Sequence, residues 1–147
     1  MDYSKVLQDF AQRTRENLNL INNQVKKNGS GFEVTQLINS FLGLLVILDE
    51  LDLEMLKKVD LHSLELHLLP VIGDTSKITP LEFKKKLHLI RNAFAHRNLS
   101  FNNELGEING IYIENRNRER KTIWKEELTV DDMRFLFDCF YEIIMRL

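Results

Sequence analysis

The run from residue 33 to residue 50, EVTQLINSFLGLLVILDE, limits the architecture more than any other part of this chain. Read as a helix at about 100° per residue, it carries Leu37, Ile38, Phe41, Leu42, Leu44, Leu45, Ile47 and Leu48 nearly all round its circumference. A helix without a polar face has to be buried among other elements. The sequence therefore predicts a helical bundle with this segment as its most buried element. Asn39 and Ser40 are the polar interruptions. A buried amide needs hydrogen-bond partners, which predicts either a helix–helix hydrogen bond here or a supporting group near the site described below or at a dimer seam. The longest apolar stretch, Phe41 to Leu48, contains Gly43 and is far too short to span a bilayer.

Other segments supply partners for that helix. In residues 1–28, Tyr3, Val6, Leu7, Phe10, Thr14, Leu18, Ile21 and Val25 recur at spacings of three and four, the pattern of a long amphipathic helix. It stops at the breaker cluster Asn28-Gly29-Ser30-Gly31. Arg13, Arg15, Lys26 and Lys27 read as its solvated face. A further helix begins at Thr79-Pro80. Thr79 suits the N-cap, Pro80 the first helical position, and Glu82 falls where a capping box needs it. This helix is expected to run to about Arg97. The last helix starts after Thr129, with Asp131 and Asp132 in its first turn, where the helix dipole favours them. Its apolar surface runs from Met133 to Leu147 and includes Cys139, which reads as a small buried residue and not a nucleophile.

Two regions are not simple helices. In 51–79, LDLEMLKKVD either continues the preceding helix or starts a short new one, and Pro70 and Gly73-Asp74-Thr75-Ser76 form a connection. His62 and His67 lie here without a third or fourth converging ligand, so they read as structural or surface histidines. The region 99–128 changes character, and in it GEINGIYIEN and KTIWKEELTV alternate as strands do. The polar, basic turn Asn115–Lys121 joins them into a hairpin inserted before the last helix. That turn is a solvated loop or an RNA clamp. A lone hairpin is marginally stable and must pack on the bundle or on a second subunit.

At 147 residues the chain is read as one domain, 1–147, long enough for a real core. Its net charge of −2 excludes a generally basic nucleic-acid binder, so any RNA contact must come from local patches. The single Cys139 rules out an intramolecular disulfide. With no signal-peptide pattern after Met1, a cytoplasmic, non-membrane protein is expected.

Chemistry concentrates between Phe83 and Arg97, FKKKLHLIRNAFAHR. On a helix, Phe83, Leu87, Ile90 and Phe94 form one apolar stripe, while Lys84, His88, Asn92 and His96 form a polar one bordered by Arg91. From Phe83 to Asn103 there are five Lys or Arg, two His and no acid. Such a face suits a phosphate-bearing partner better than a metal. An imidazole can move protons near neutral pH, and a guanidinium can hold a phosphate through two oxygens.

The segment Arg91-Asn92-Ala93-Phe94-Ala95-His96 resembles the R-x-x-x-x-H signature of the HEPN superfamily. Asn92 directly after the Arg and Arg97 after the His are in keeping with it. The stretch FEVTQLINSFLGLLVILDE resembles the second helix of a bacterial and plasmid-borne HEPN subgroup. The resemblance implies a mainly α fold, an up-and-down bundle of four to five helices carrying the small hairpin before the last one. It implies a homodimeric, metal-independent endoribonuclease of a phage-defence or toxin–antitoxin system, with no cofactor. Its partners would be RNA and a nucleotidyltransferase-like antitoxin. In that scheme Arg91 binds the scissile phosphate and His96 is the general base or acid, with His96 of the other subunit as its complement. Asn92 supports them, and Arg97, His88 and Lys84 make peripheral backbone contacts. Residues five apart on a helix are rotated by about 140°, so Arg91 and His96 do not share one side. Either the long Arg91 side chain reaches round, or the helix loosens before His96, or, most economically, a two-fold axis brings two copies of the motif into one cleft. The alternative is a catalytically inactive HEPN-like module that binds RNA, a nucleotide or a partner protein through the same face.

Overall fold

A computed structural model describes residues 2–29, 32–65, 68–104 and 106–147. Ser30 and Gly31, read above as turn residues, and His67, read as a structural or surface histidine, lie outside the described residues. The helices are α1 (Tyr3–Asn28), α2 (Glu33–Glu50), α3 (Leu53–Lys57), α4 (Pro80–Ala95) and α5 (Val130–Met145). The strands are β1 (Leu68–Leu69), β2 (Gly73–Asp74), β3 (Leu99–Glu104), β4 (Glu107–Arg116) and β5 (Thr122–Thr129). The molecule is mainly helical, with the hairpin in front of the last helix.

Helix α2 is the axis of the bundle, as its all-round apolar sequence requires. It packs against α1, α4 and α5, and α1 also meets α5. Leu37, Phe41, Leu44, Leu45 and Leu48 are buried almost completely. The Phe41 ring lies between Phe140, stacked at 5.7 Å, and Phe94, tilted at 6.3 Å. Asn39, expected inside, is exposed; Ser40 is the buried polar residue and accepts a hydrogen bond from Gln36 within the same helix. The polar pair thus straddles the edge of the buried face, and no helix–helix bond is needed there.

Helix α1 departs from expectation more strongly. Leu7, Ala11 and Leu18 face the core, but Tyr3, Val6 and Phe10 stay exposed. Its apolar stripe is wider than the surface α2 and α5 cover. With Leu42, Val46 and Ile47 of α2, those residues line an open apolar groove of about 580 Å³.

Residues 51–79 form a new short helix, α3, capped by the Asp52 carboxylate on the Met55 N–H. A 3-10 turn at Leu61–Ser63 and the two-residue pair β1–β2 follow. His62 is structural, with Nε2 3.1 Å from the Ile78 carbonyl oxygen.

The hairpin β4–β5 is joined by a third strand, β3, to make an antiparallel sheet with β4 in the middle. The segment Leu99–Glu104 holds only two apolar side chains among polar ones, too few to reveal a strand by alternation. Ile111, Ile113 and Leu128 turn inward, and β4 lies against α4. Asn115, buried at a bulge, donates from Nδ2 to the Leu89 carbonyl at 2.8 Å, which pins sheet to helix.

Candidate functional site

Helix α4 positions the site. Its start is the expected capping box: the Thr79 hydroxyl accepts from the Glu82 N–H, and the Glu82 carboxylate accepts from the Thr79 N–H. Phe83, Leu87, Ile90 and Ala93 are buried, while Phe94 is half-buried against Phe41. The helix stops at Ala95, two residues before the expected end, and His96 is the C-cap. The Arg97 N–H bonds to the Phe94 carbonyl at 3.2 Å and the Asn98 N–H to the Ala93 carbonyl at 2.9 Å. These are the two bonds of a Schellman motif. Arg97 takes its left-handed position, φ 58°, where glycine is usual. His96 therefore sits at the end of the helix, with backbone angles of −94° and 8°, and its side chain is exposed.

The outward stripe of α4 meets the C-terminal end of α2. Lys84 Nζ donates to the carbonyl oxygens of Asp49, at 2.7 Å, and Leu51. These are terminal carbonyls without helical partners, at the negative end of the α2 dipole. His88 Nδ1 lies 3.2 Å from Asp49 Oδ1, and Arg91 Nε lies 3.7 Å from Asp49 Oδ2. The Asp49 side chain is only 5% exposed, against 57% for His88 and 38% for Arg91. A carboxylate that deep needs cationic or hydrogen-bonding partners, and α4 supplies them.

Asp49 corrects the expectation of a face without a carboxylate. Spacing within α4 cannot reveal an acid delivered from another helix. The available signal was an acid ending an otherwise apolar helix, in Ile47-Leu48-Asp49-Glu50. Lys84, expected at the periphery of a phosphate site, has its ammonium engaged by α2. His88 and Arg91 share one buried anion. The Nη groups of Arg91 make no hydrogen bond or ion pair among the described residues, nor do the side chains of Asn92 and His96.

Beyond His96 the chain enters a surface groove of about 620 Å³ along the sheet, lined among others by Arg97, Ser100, Tyr112, Arg116 and Lys125. Its charge is mixed, because Glu114, Glu126 and Glu127 share it. Hydrogen bonds from Thr122 and Arg116 hold the Glu114 carboxyl below its usual range. In the hairpin turn, Arg116 is paired with Glu114 and Lys121 lies near Glu119. Arg118 and Arg120 have no side-chain partner among the described residues.

Cys139 is buried, and burial pushes its thiol up to about 12. No group of three His, Cys, Asp or Glu side chains converges as a metal site among the described residues. No helix among them is long and apolar enough to cross a membrane. The family model described as HEPN pEK499 p136 matches residues 1–147. No curated protein and no solved structure matches the sequence.

Proposed function

Because this chain belongs to the HEPN pEK499 p136 family along its whole length, we propose that it is a metal-independent endoribonuclease whose site is completed in a homodimer. The observation that carries this reading is the posture of Arg91. Its Nε edge faces the buried Asp49 carboxylate, which leaves the two Nη groups to hold a phosphate through two oxygens. Arg91 neutralises the charge that builds on phosphorus, a contribution of about 3–4 kcal/mol in comparable oxyanion sites. His96, exposed at the end of α4, exchanges the proton. The 2′-hydroxyl attacks, the P–O5′ bond breaks, and the products are a 2′,3′-cyclic phosphate and a 5′-hydroxyl. Asn92 and Arg97 flank the path of the strand. The open apolar groove of α1 and α2 supports a second copy, since a patch of this kind on a small domain marks an interaction surface. A defence or toxin–antitoxin setting, with a nucleotidyltransferase-like antitoxin, fits an activity that needs restraint.

The test is end-group analysis of RNA treated with the protein. Cyclic phosphate on the 3′ side and a free 5′-hydroxyl are expected, both lost in His96→Ala at unchanged thermal stability. A His96→Ala protein that unfolds overturns the role given to His96.

The second reading is a HEPN-like module that binds RNA, a nucleotide or a protein without turnover. What favours it is that no side-chain partner orients His96 among the described residues. It requires binding that falls on Arg91→Ala and no cleavage by the wild type.

A further inference from the structure

One feature of α4 is not used by Arg91 and His96. His88 Nδ1 stands 3.2 Å from a carboxylate that is itself only 5% exposed, and the imidazole is 57% exposed. A carboxylate on one ring nitrogen fixes the tautomer and aims the other nitrogen away from the protein. Proton-transfer histidines are held in this way by a buried acid. Asp49 also faces Arg91, so imidazole and guanidinium are tied to one point. We propose that His88, positioned by Asp49, is the general acid of the cleavage reaction, and that it works opposite His96 of a second copy of this chain. The proposal rests on the ribonuclease reading above and gives to His88 the acid role for which the resemblance offers only a second His96.

Helix arithmetic decides between one chain and two. Residues eight apart on one helix are separated by about 12 Å along its axis. Acid and base must both come within hydrogen-bond reach of the same phosphate, and His88 and His96 of one chain stand too far apart. The stripe Lys84, His88, Asn92 and His96 has a regular spacing of four. If two α4 helices pack antiparallel across a two-fold axis at Asn92, His88 of each faces His96 of the other. The pairing is isologous, as a two-fold interface requires, and makes two equivalent sites. His96, with no carboxylate partner among the described residues, takes the 2′-hydroxyl proton as the O2′–P bond forms. His88, whose positive charge Asp49 balances, gives its proton to O5′ as the P–O5′ bond breaks. Arg91 beside His88 holds the phosphate. No oxidant, reductant or metal enters the balance.

Subunit complementation tests this directly. His88→Gln keeps an amide donor for Asp49 and removes the transferable proton; His96→Ala removes the base. Each homodimer is expected to lose about 10²–10⁴-fold in cleavage rate. Mixing the two variants and allowing subunit exchange should restore about a quarter of wild-type activity, because half the dimers are mixed and each mixed dimer keeps one intact site of two. An RNA with sulfur in place of the leaving O5′ needs no protonation there, so His88→Gln should cleave it near the wild-type rate while His96→Ala does not. A merely structural His88 would not give that rescue. Full activity in His88→Gln, or no recovery on mixing two dead variants, overturns the proposal and leaves the ribonuclease reading standing. A wild type that cleaves neither substrate overturns both.

Discussion

A carboxylate at the end of an apolar helix has to find its partners in another element, and Asp49 finds them on α4. Because both side-chain partners are partly exposed, Asp49→Asn should cost at most about 1 kcal/mol in a denaturant titration, much less than its effect on cleavage. Arg97 is a second instructive residue. A left-handed backbone costs a residue with a Cβ about 1–2 kcal/mol, and glycine returns part of that as chain entropy. Arg97→Gly is expected to raise stability by about 0.5–1 kcal/mol in the same titration; a loss would mean that the arginine side chain supports the turn. Cys139 gives a pH expectation. Its folded thiol is raised to about 12, so its contribution to stability is complete below the unfolded thiol's pKa of about 8.5 and fades as pH rises through the folded value. Alkylation at pH 8 should therefore be slow in the native protein and fast after unfolding.

Elements with strong local signals were legible in the sequence. The bounds of α2, the capped starts of α4 and α5, and the strands β4 and β5 all follow from periodicity, capping residues and alternation. Others depend on tertiary context. The strand β3 is recruited by the edge of a hairpin, and the early end of α4 is a backbone event in which Arg97 occupies a glycine position. The Arg91–His96 motif was visible as a spacing, but the anion beneath it was not, since no pattern within α4 encodes a contact with Asp49. At Gly110 a Cβ would stand 2.5 Å from the Leu128 carbonyl oxygen, so Gly110→Ala should destabilise the protein by about 1–3 kcal/mol as the strands move apart. Thr79→Ala removes a cap at the start of the helix that carries the site and should cost about 1 kcal/mol. Thermal unfolding measures both.

For the whole molecule, what matters is which faces stay open. Tyr3, Val6 and Phe10 of α1 and Val46 of α2 remain uncovered, although the amphipathic pattern of α1 reads as a core stripe. Periodicity identifies an apolar face but not the surface that covers it, a second copy included. If a second copy covers this face, Val46→Glu should lower the solution mass to that of one chain and reduce cleavage more than tenfold, since one buried charge at an interface centre costs several kcal/mol. A metal-free ribonuclease built on Arg91 and His96 should reveal itself in RNA cleavage in EDTA. Wild type, Arg91→Ala and His96→Ala would be compared at matched solution mass. Cleavage by the wild type that resists EDTA and disappears in both variants is the expected result. A wild type that leaves several RNAs intact, or variants that cleave as it does, would contradict the claim.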